Sequence, residues 1–524
     1  MTPADPVAST RHGRVRGAAQ GGVARFLGVP YAAAPVGARR LRSPAAPDAW
    51  SGVRDALAPA PAALQKLGGS QTWLYDALPG TSEDCLTLNV WTPSLAGHAP
   101  VLVWFHGGAT RNGHGAAAAF DGTALARRGV VVVTVSYRLG ALGGLAHPAL
   151  ADPDTGHRAN WGMQDKIAAL RWVSGNVEAF GGDPARVTIA GQSSGATNAV
   201  MIAANPALGG LFAGVIAQSP PLFQSPMFAE FDDAAQYTEL LASHAGVTVD
   251  RLARLEGQAL FDAEAALLAS KDLMARIGRP RTAPVRDGDL VRDWPYHAAP
   301  SPLPLLIGWT RDESRFWHDL RDAQGRVLSP LPVPGDAAAL HAEVAKLLRL
   351  YYPFEAAPGA GDVIAAYRAG SAHARPAAPA PVDPASTDAA WNAIYTDVVF
   401  RAPILHFANR HANAGAPTFV YEFSQPLAPP GRGSPHACDV PFVFGTTGHP
   451  HLAAKLGHGP AVEALAQRVG DAWAAFVHGA DPSTAAHPWP AWRASRAALV
   501  GLRSDATPPA DERARVPAVL AAFE

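Results

Sequence analysis

Apolar residues in this chain cluster in short unbroken runs, separated by longer stretches of helical period. Val101-Leu102-Val103-Trp104-Phe105 and Val130 to Val135 are continuous and rich in β-branched residues, the pattern of strands covered on both faces. Leu86 to Trp91 alternates and predicts a half-buried strand. Arg14 to Gly17 and Val23 to Leu27 flank Gly21-Gly22 and predict a hairpin. Further strands are predicted at Val187 to Ala190, Ala213 to Ile216, Pro304 to Gly308 and Thr418 to Phe423, with an edge strand at Ala498 to Leu502. Ile167 to Phe180 has helical periodicity until Gly181-Gly182-Asp183-Pro184 breaks it. Val462 to His478 predicts a late helix. Helical insertions are predicted at about 225–300 and 335–412, the second interrupted by a Pro/Ala-rich surface loop from Arg375 to Pro384. Strands alternating with helices argue for the α/β class: a large, mostly parallel central sheet with helices on both faces. The expected organisation is one domain over 1–524, its insertions lying over the sheet.

Composition narrows the function more than the fold. The chain has 524 residues, 48% hydrophobic and 17% charged, ample for a large core. Net charge is −1 with no block of either sign, so no nucleic-acid partner is expected. No apolar run is long enough to span a membrane, and Met1 to Gly17 lacks the apolar stretch of a secretory signal. A cytoplasmic location and a monomer or small homo-oligomer are expected. Two cysteines, Cys85 and Cys438, make no disulfide framework.

The chemistry is concentrated at Val187-Thr188-Ile189-Ala190-Gly191-Gln192-Ser193-Ser194-Gly195-Ala196. A β-branched run, G-x-S-x-G and then helix formers give strand, sharp turn and helix, the context in which a serine is raised above a sheet edge. Gly191 and Gly195 remove the side chains that would collide in such a turn. The flanking glycines centre the motif on Ser193 and leave Ser194 to offer its backbone N–H. A serine hydroxyl needs a base to take its proton, and the base a carboxylate to orient it. There are 19 histidines, so position must choose. His436 follows the predicted 418–423 strand and Glu313 follows the 304–308 strand, where loops at strand carboxyl ends carry catalytic groups. The glycine-rich His106-Gly107-Gly108-Ala109 ends another strand; Gly108 and Ala109, with Ser194, are the expected N–H donors to an oxyanion.

These segments together resemble the type-B carboxylesterase family of α/β hydrolases. The matching pieces run from Phe26-Leu27-Gly28-Val29-Pro30-Tyr31-Ala32 through Glu83 to Val90, Trp104 to Ala109, Tyr137-Arg138-Leu139-Gly140 and Phe180 to Pro184. Gly191 to Ala196, Gln218-Ser219, Arg311-Asp312-Glu313 and His436 to Gly445 complete them. The resemblance implies the α/β-hydrolase fold, Ser193 as nucleophile, Glu313 as acid and His436 as base, and ester hydrolysis through an acyl-enzyme with no metal or organic cofactor. It implies that Ser219 hydrogen-bonds the acid and that Arg40 pairs with Glu83. Gly107-Gly108-Ala109-Thr110 resembles the oxyanion-loop variant associated with esters of tertiary alcohols. The chain departs from the family pattern at Gln192 (usually Glu), Ser194 (usually Ala), Ser314 and Pro220 (both usually Gly). The cysteine that pairs with the Cys85 position in secreted members has no counterpart, so Cys85 is expected as a buried free thiol. The expected partner is a small-molecule ester; rival readings are a lipase or polyester hydrolase, an anilide amidase, or a non-catalytic binding member.

Overall fold

The computed structural model describes residues 5–222, 228–272, 284–322, 324–352, 357–370, 386–493 and 498–504. At the N-terminus β1 (Val7–Thr10) pairs antiparallel with β2 (Gly13–Arg16), while β3 (Ala18–Gln20) pairs with β4 (Val23–Pro30). The predicted turn at Gly21-Gly22 exists, but its first arm is Ala18–Gln20. Arg14 to Arg16 joins a separate three-stranded sheet with β1 and β5 (Val53–Asp55). A turn motif fixes where the chain reverses; which upstream residues then pair depends on what else needs covering.

The main sheet continues with β6 (Thr87–Thr92), β7 (Ala99–Phe105), β8 (Val131–Val135), β9 (Gly182–Gln192) and β10 (Gly214–Gln218). After a two-residue pair, β11 (Ala229–Glu230) with β12 (Val285–Arg286), it ends with β13 (Leu305–Thr310), β14 (Thr418–Phe423) and β15 (Leu499–Leu502). Among the described residues its ten strands lie in the order β15-β14-β13-β10-β9-β7-β8-β6-β4-β3. Those from β15 to β8 are parallel, and β6, β4 and β3 add antiparallel at one edge.

Two separate apolar clusters explain the unbroken hydrophobic runs. Val101, Val103, Phe105, Val131, Val133 and Val135 face one side, with Ile167, Leu170 and Val173 of the helix Trp161–Asn176. Leu102, Trp104 and Val132 face the other, with Leu465, Val469 and Trp473 of the helix Pro460–Gly479. Successive strand side chains point to opposite faces, so a strand with helices on both sides needs apolar residues at every position. The same reason corrects the reading of Leu86 to Trp91: β6 is buried along its whole length rather than on one face.

The first predicted insertion supplies the helices Phe231–His244, Val249–Leu252 and Gly257–Ala269. The second supplies Ala337–Tyr351, Ala360–Gly370, Thr387–Thr396 and Ala402–Asn413; its Arg375 to Pro384 loop lies outside the described residues. Among the described residues no helix is long and apolar enough to cross a membrane. Cys85 and Cys438 are buried free thiols, and burial pushes both upward in pKa.

Candidate active site

The strands β7, β9, β10, β13 and β14 stand side by side; Gln192 ends β9, and the other predicted site residues follow the carboxyl ends of these strands. Ser193 follows β9 directly and caps the helix Ser194–Ala203. Its backbone is at φ 56°, ψ −128°, a strained conformation for a residue with a side chain. The turn folds back so closely that a Cβ on Gly191 would come within 2.5 Å of the Gly195 carbonyl carbon. One on Gly195 would overlap the carbonyls of Phe105 and His106. Both glycines are therefore required by close approach of backbone to backbone.

Glu313 and His436 come from the neighbouring loops after β13 and β14. His436 Nδ1 lies 2.5 Å from Glu313 Oε2, with both side chains buried. A carboxylate can only accept, so the imidazole proton sits on Nδ1. The other carboxylate oxygen, Oε1, accepts from the Thr310 backbone N–H at 2.8 Å. The expected bond from Ser219 is not made: its hydroxyl is buried without a hydrogen-bond partner, while its backbone N–H donates to the Gly308 carbonyl. The Glu313 carboxylate turns back onto its own strand end, and that bond takes the place predicted for Ser219.

The two loops are clamped together by groups the sequence did not reveal. Asp312 accepts from the Ser434 backbone N–H at 2.9 Å and from Asn392 Nδ2 at 2.7 Å. Arg315 and Arg432 share Asp388, at 2.7 and 2.8 Å. Asp388 and Asn392 belong to the helix Thr387–Thr396 of the second insertion. The rings of Trp317 and Phe400 pack with their centroids 4.8 and 5.1 Å from that of the His436 ring. Trp317, four residues past Glu313, was findable from sequence; Phe400, Asp388 and Asn392 sit in helical pattern with no local mark of function.

Gly107 has no room for a side chain, because a Cβ would come within 2.5 Å of Gln192 Oε1 and 3.0 Å of Ser193 Cβ. That contact brings the 106–112 loop against the elbow. The Gly107 carbonyl lies 2.8 Å from His106 Nδ1, and the Gly108 carbonyl accepts from Arg111 and Asn112 N–H groups, both at 3.0 Å. Burial lowers the His106 pKa to about 3, so this ring is neutral. Among the described residues the backbone N–H groups of Gly108, Ala109 and Ser194 find no acceptor. Three unpaired donors near one serine, at a helix N-terminus, make a place for a negatively charged oxygen. From below, Glu264 of the first insertion accepts from Arg111 and from the Ala141 N–H, each at 2.9 Å.

Gln192, which stands where the family usually has Glu, reaches the base. Its Nε2 lies 2.9 Å from His436 Nε2, while the Ser193 hydroxyl hydrogen-bonds none of the described residues.

The chain is matched over residues 4–515 by the model of the Carboxylesterase family. It is 31% identical to a para-nitrobenzyl esterase of Bacillus subtilis (strain 168), over 96% of this chain and 95% of that protein. It is 33% identical to a phenmedipham hydrolase of Pseudarthrobacter oxydans, over 97% of each. Among solved structures, a Geobacillus stearothermophilus carboxylesterase superposes with a TM-score of 0.77 at 32% identity, covering 98% of this chain and 99% of that one.

Proposed function

Since the chain belongs to the carboxylesterase family, has the α/β-hydrolase fold and is a carboxylic ester hydrolase, we propose that it works through an acyl-enzyme on Ser193. The observation that carries this reading is the 2.5 Å contact of His436 with Glu313 beside the strained elbow. His436 Nε2 takes the Ser193 proton as Oγ bonds to the ester carbonyl carbon, whose π pair moves onto its oxygen. The N–H groups of Gly108, Ala109 and Ser194 hold that oxygen. Glu313 keeps the ring in the tautomer with Nδ1 protonated and stabilises the imidazolium. Collapse expels the alcohol, which takes its proton from His436 Nε2. Water then enters by the same steps and releases the acid. A further reading, that Gly107 to Thr110 admits bulky alcohols, follows from loop carbonyls turned onto their own loop.

The test compares two adjacent serines on p-nitrophenyl acetate. Ser193→Ala is expected to lose about 10⁴-fold or more in kcat, leaving what binding and the oxyanion donors supply. Ser194→Ala keeps most of it, because its part is a backbone N–H. The opposite ranking, or an organophosphate adduct on any other residue by peptide mass spectrometry, overturns the assignment.

A further inference from the structure

The residue before the nucleophile occupies the atom the nucleophile needs. With the proton on Nδ1, His436 Nε2 carries a bare lone pair. The Gln192 amide nitrogen, which has hydrogens to give and no lone pair to offer, lies 2.9 Å from it. At its far end Oε1 packs against Gly107, where a Cβ would come within 2.5 Å of it. Gln192 is buried at 3% exposure, and the Ser193 hydroxyl hydrogen-bonds none of the described residues.

We propose that Gln192 is a gate on the base: it donates to His436 Nε2 in the resting enzyme, keeps Ser193 uncoupled, and withdraws before the serine proton moves. This rests on the Ser193–His436 reading above. Once Nε2 is protonated the same amide, turned over, presents Oε1 as an acceptor to the imidazolium. One side chain thereby serves both protonation states; a glutamate here could serve only the second. Donation to the neutral ring occupies the lone pair that must take the serine proton, at the expense of the nucleophile.

The groups around the His436–Glu313 pair stay the same in every variant below. Phe316, Trp317 and Phe400 present apolar rings. Asp312, Cys438, Asp439, Tyr395 and Tyr421 complete the titratable neighbours.

The experiment uses the full-length chain, the rate of phosphorylation by diethyl p-nitrophenyl phosphate, and kcat/KM against pH on p-nitrophenyl acetate. Gln192→Met keeps the length and removes the donor. It should react about 2- to 10-fold faster at pH 8, the worth of one net hydrogen bond. Gln192→Glu should move the acidic limb of kcat/KM up by about one unit or more, through the charge beside the imidazolium. A Gln192→Met enzyme that reacts no faster than the parent overturns the gate. Should that variant fail to fold, Gln192→Leu, which also lacks the donor, takes its place, and a rate no faster than the parent overturns the gate. Activity surviving in Ser193→Ala or His436→Ala would instead sink the underlying reading; both dead, with Gln192→Met unchanged, sinks the gate alone.

Discussion

Asp439 is the carboxylate that local pattern disguises best. It lies three residues after His436 and accepts from Gln218 at 2.8 Å and Tyr421 at 2.9 Å, both on Oδ2, leaving Oδ1 without a partner. Burial lifts its pKa from 3.8 to about 6, against the pull of those two bonds. The folded-state value lies above the unfolded one. Its contribution is therefore fully present below pH 3.8 and is lost as pH rises through about 6. An asparagine in its place would accept the same two bonds without a charge to bury. Asp439→Asn should gain stability relative to the parent by roughly 3 kcal/mol between pH 4 and pH 8, at about 1.4 kcal/mol per pKa unit. Urea unfolding at the two pH values measures it; a difference that does not change with pH refutes the account.

At the scale of elements, the 106–112 loop sets both the oxyanion donors and the space beside the leaving group. The Gly107 and Gly108 carbonyls are tied within the loop, to His106 Nδ1 and to the Arg111 and Asn112 N–H groups. Neither needs to project where a branched alcohol would lie. Thr110, with φ 58°, continues the turn without adding an aromatic ring. Hydrolysis of tert-butyl acetate and linalyl acetate should be measurable by gas chromatography. Good turnover of ethyl acetate with none of either branched ester would show that the leaving-group side is closed.

Across the whole molecule, ion pairs that join distant segments differ in burial, and burial sets what each is worth. Arg40 binds Glu83 through two bonds of 2.5 and 2.7 Å and also donates to the Ala253 carbonyl, while Glu83 accepts from the Gly257 N–H. The N-terminal loop, the approach to β6 and the first insertion meet there, and the pair implied by resemblance is present. Arg40→Met leaves Glu83 without its cation in a buried place and should destabilise the fold by about 3–5 kcal/mol. Arg16, half exposed beside Asp55 on the small N-terminal sheet, should cost under about 1 kcal/mol when changed to Met. Thermal and urea denaturation of the two variants decide; equal losses would mean that burial is not what gives the Arg40 pair its value.

Sequence alone settled what depends on neighbours along the chain. Unbroken β-branched runs announced the doubly covered strands β7 and β8, and Gly191 and Gly195 announced an elbow because no side chain fits there. Strand ends placed Glu313 and His436 in loops of the right kind, but among 19 histidines only the family resemblance singled out this pair. Tertiary structure decided whatever depends on which strands become neighbours. Because β13 lies beside β14, Asp388, Asn392 and Phe400 of an insertion reach the Glu313 and His436 loops, and no periodicity marks them. Ser219 was expected on the acid, but Glu313 accepts from its own strand end instead. Gln192 was legible as a missing charge; only the close approach of the elbow to the His436 loop shows that its amide sits on the lone pair of the base. Hydrogen-bond partners are chosen by distances of a few ångströms between segments hundreds of residues apart, and such distances exist only in the folded chain.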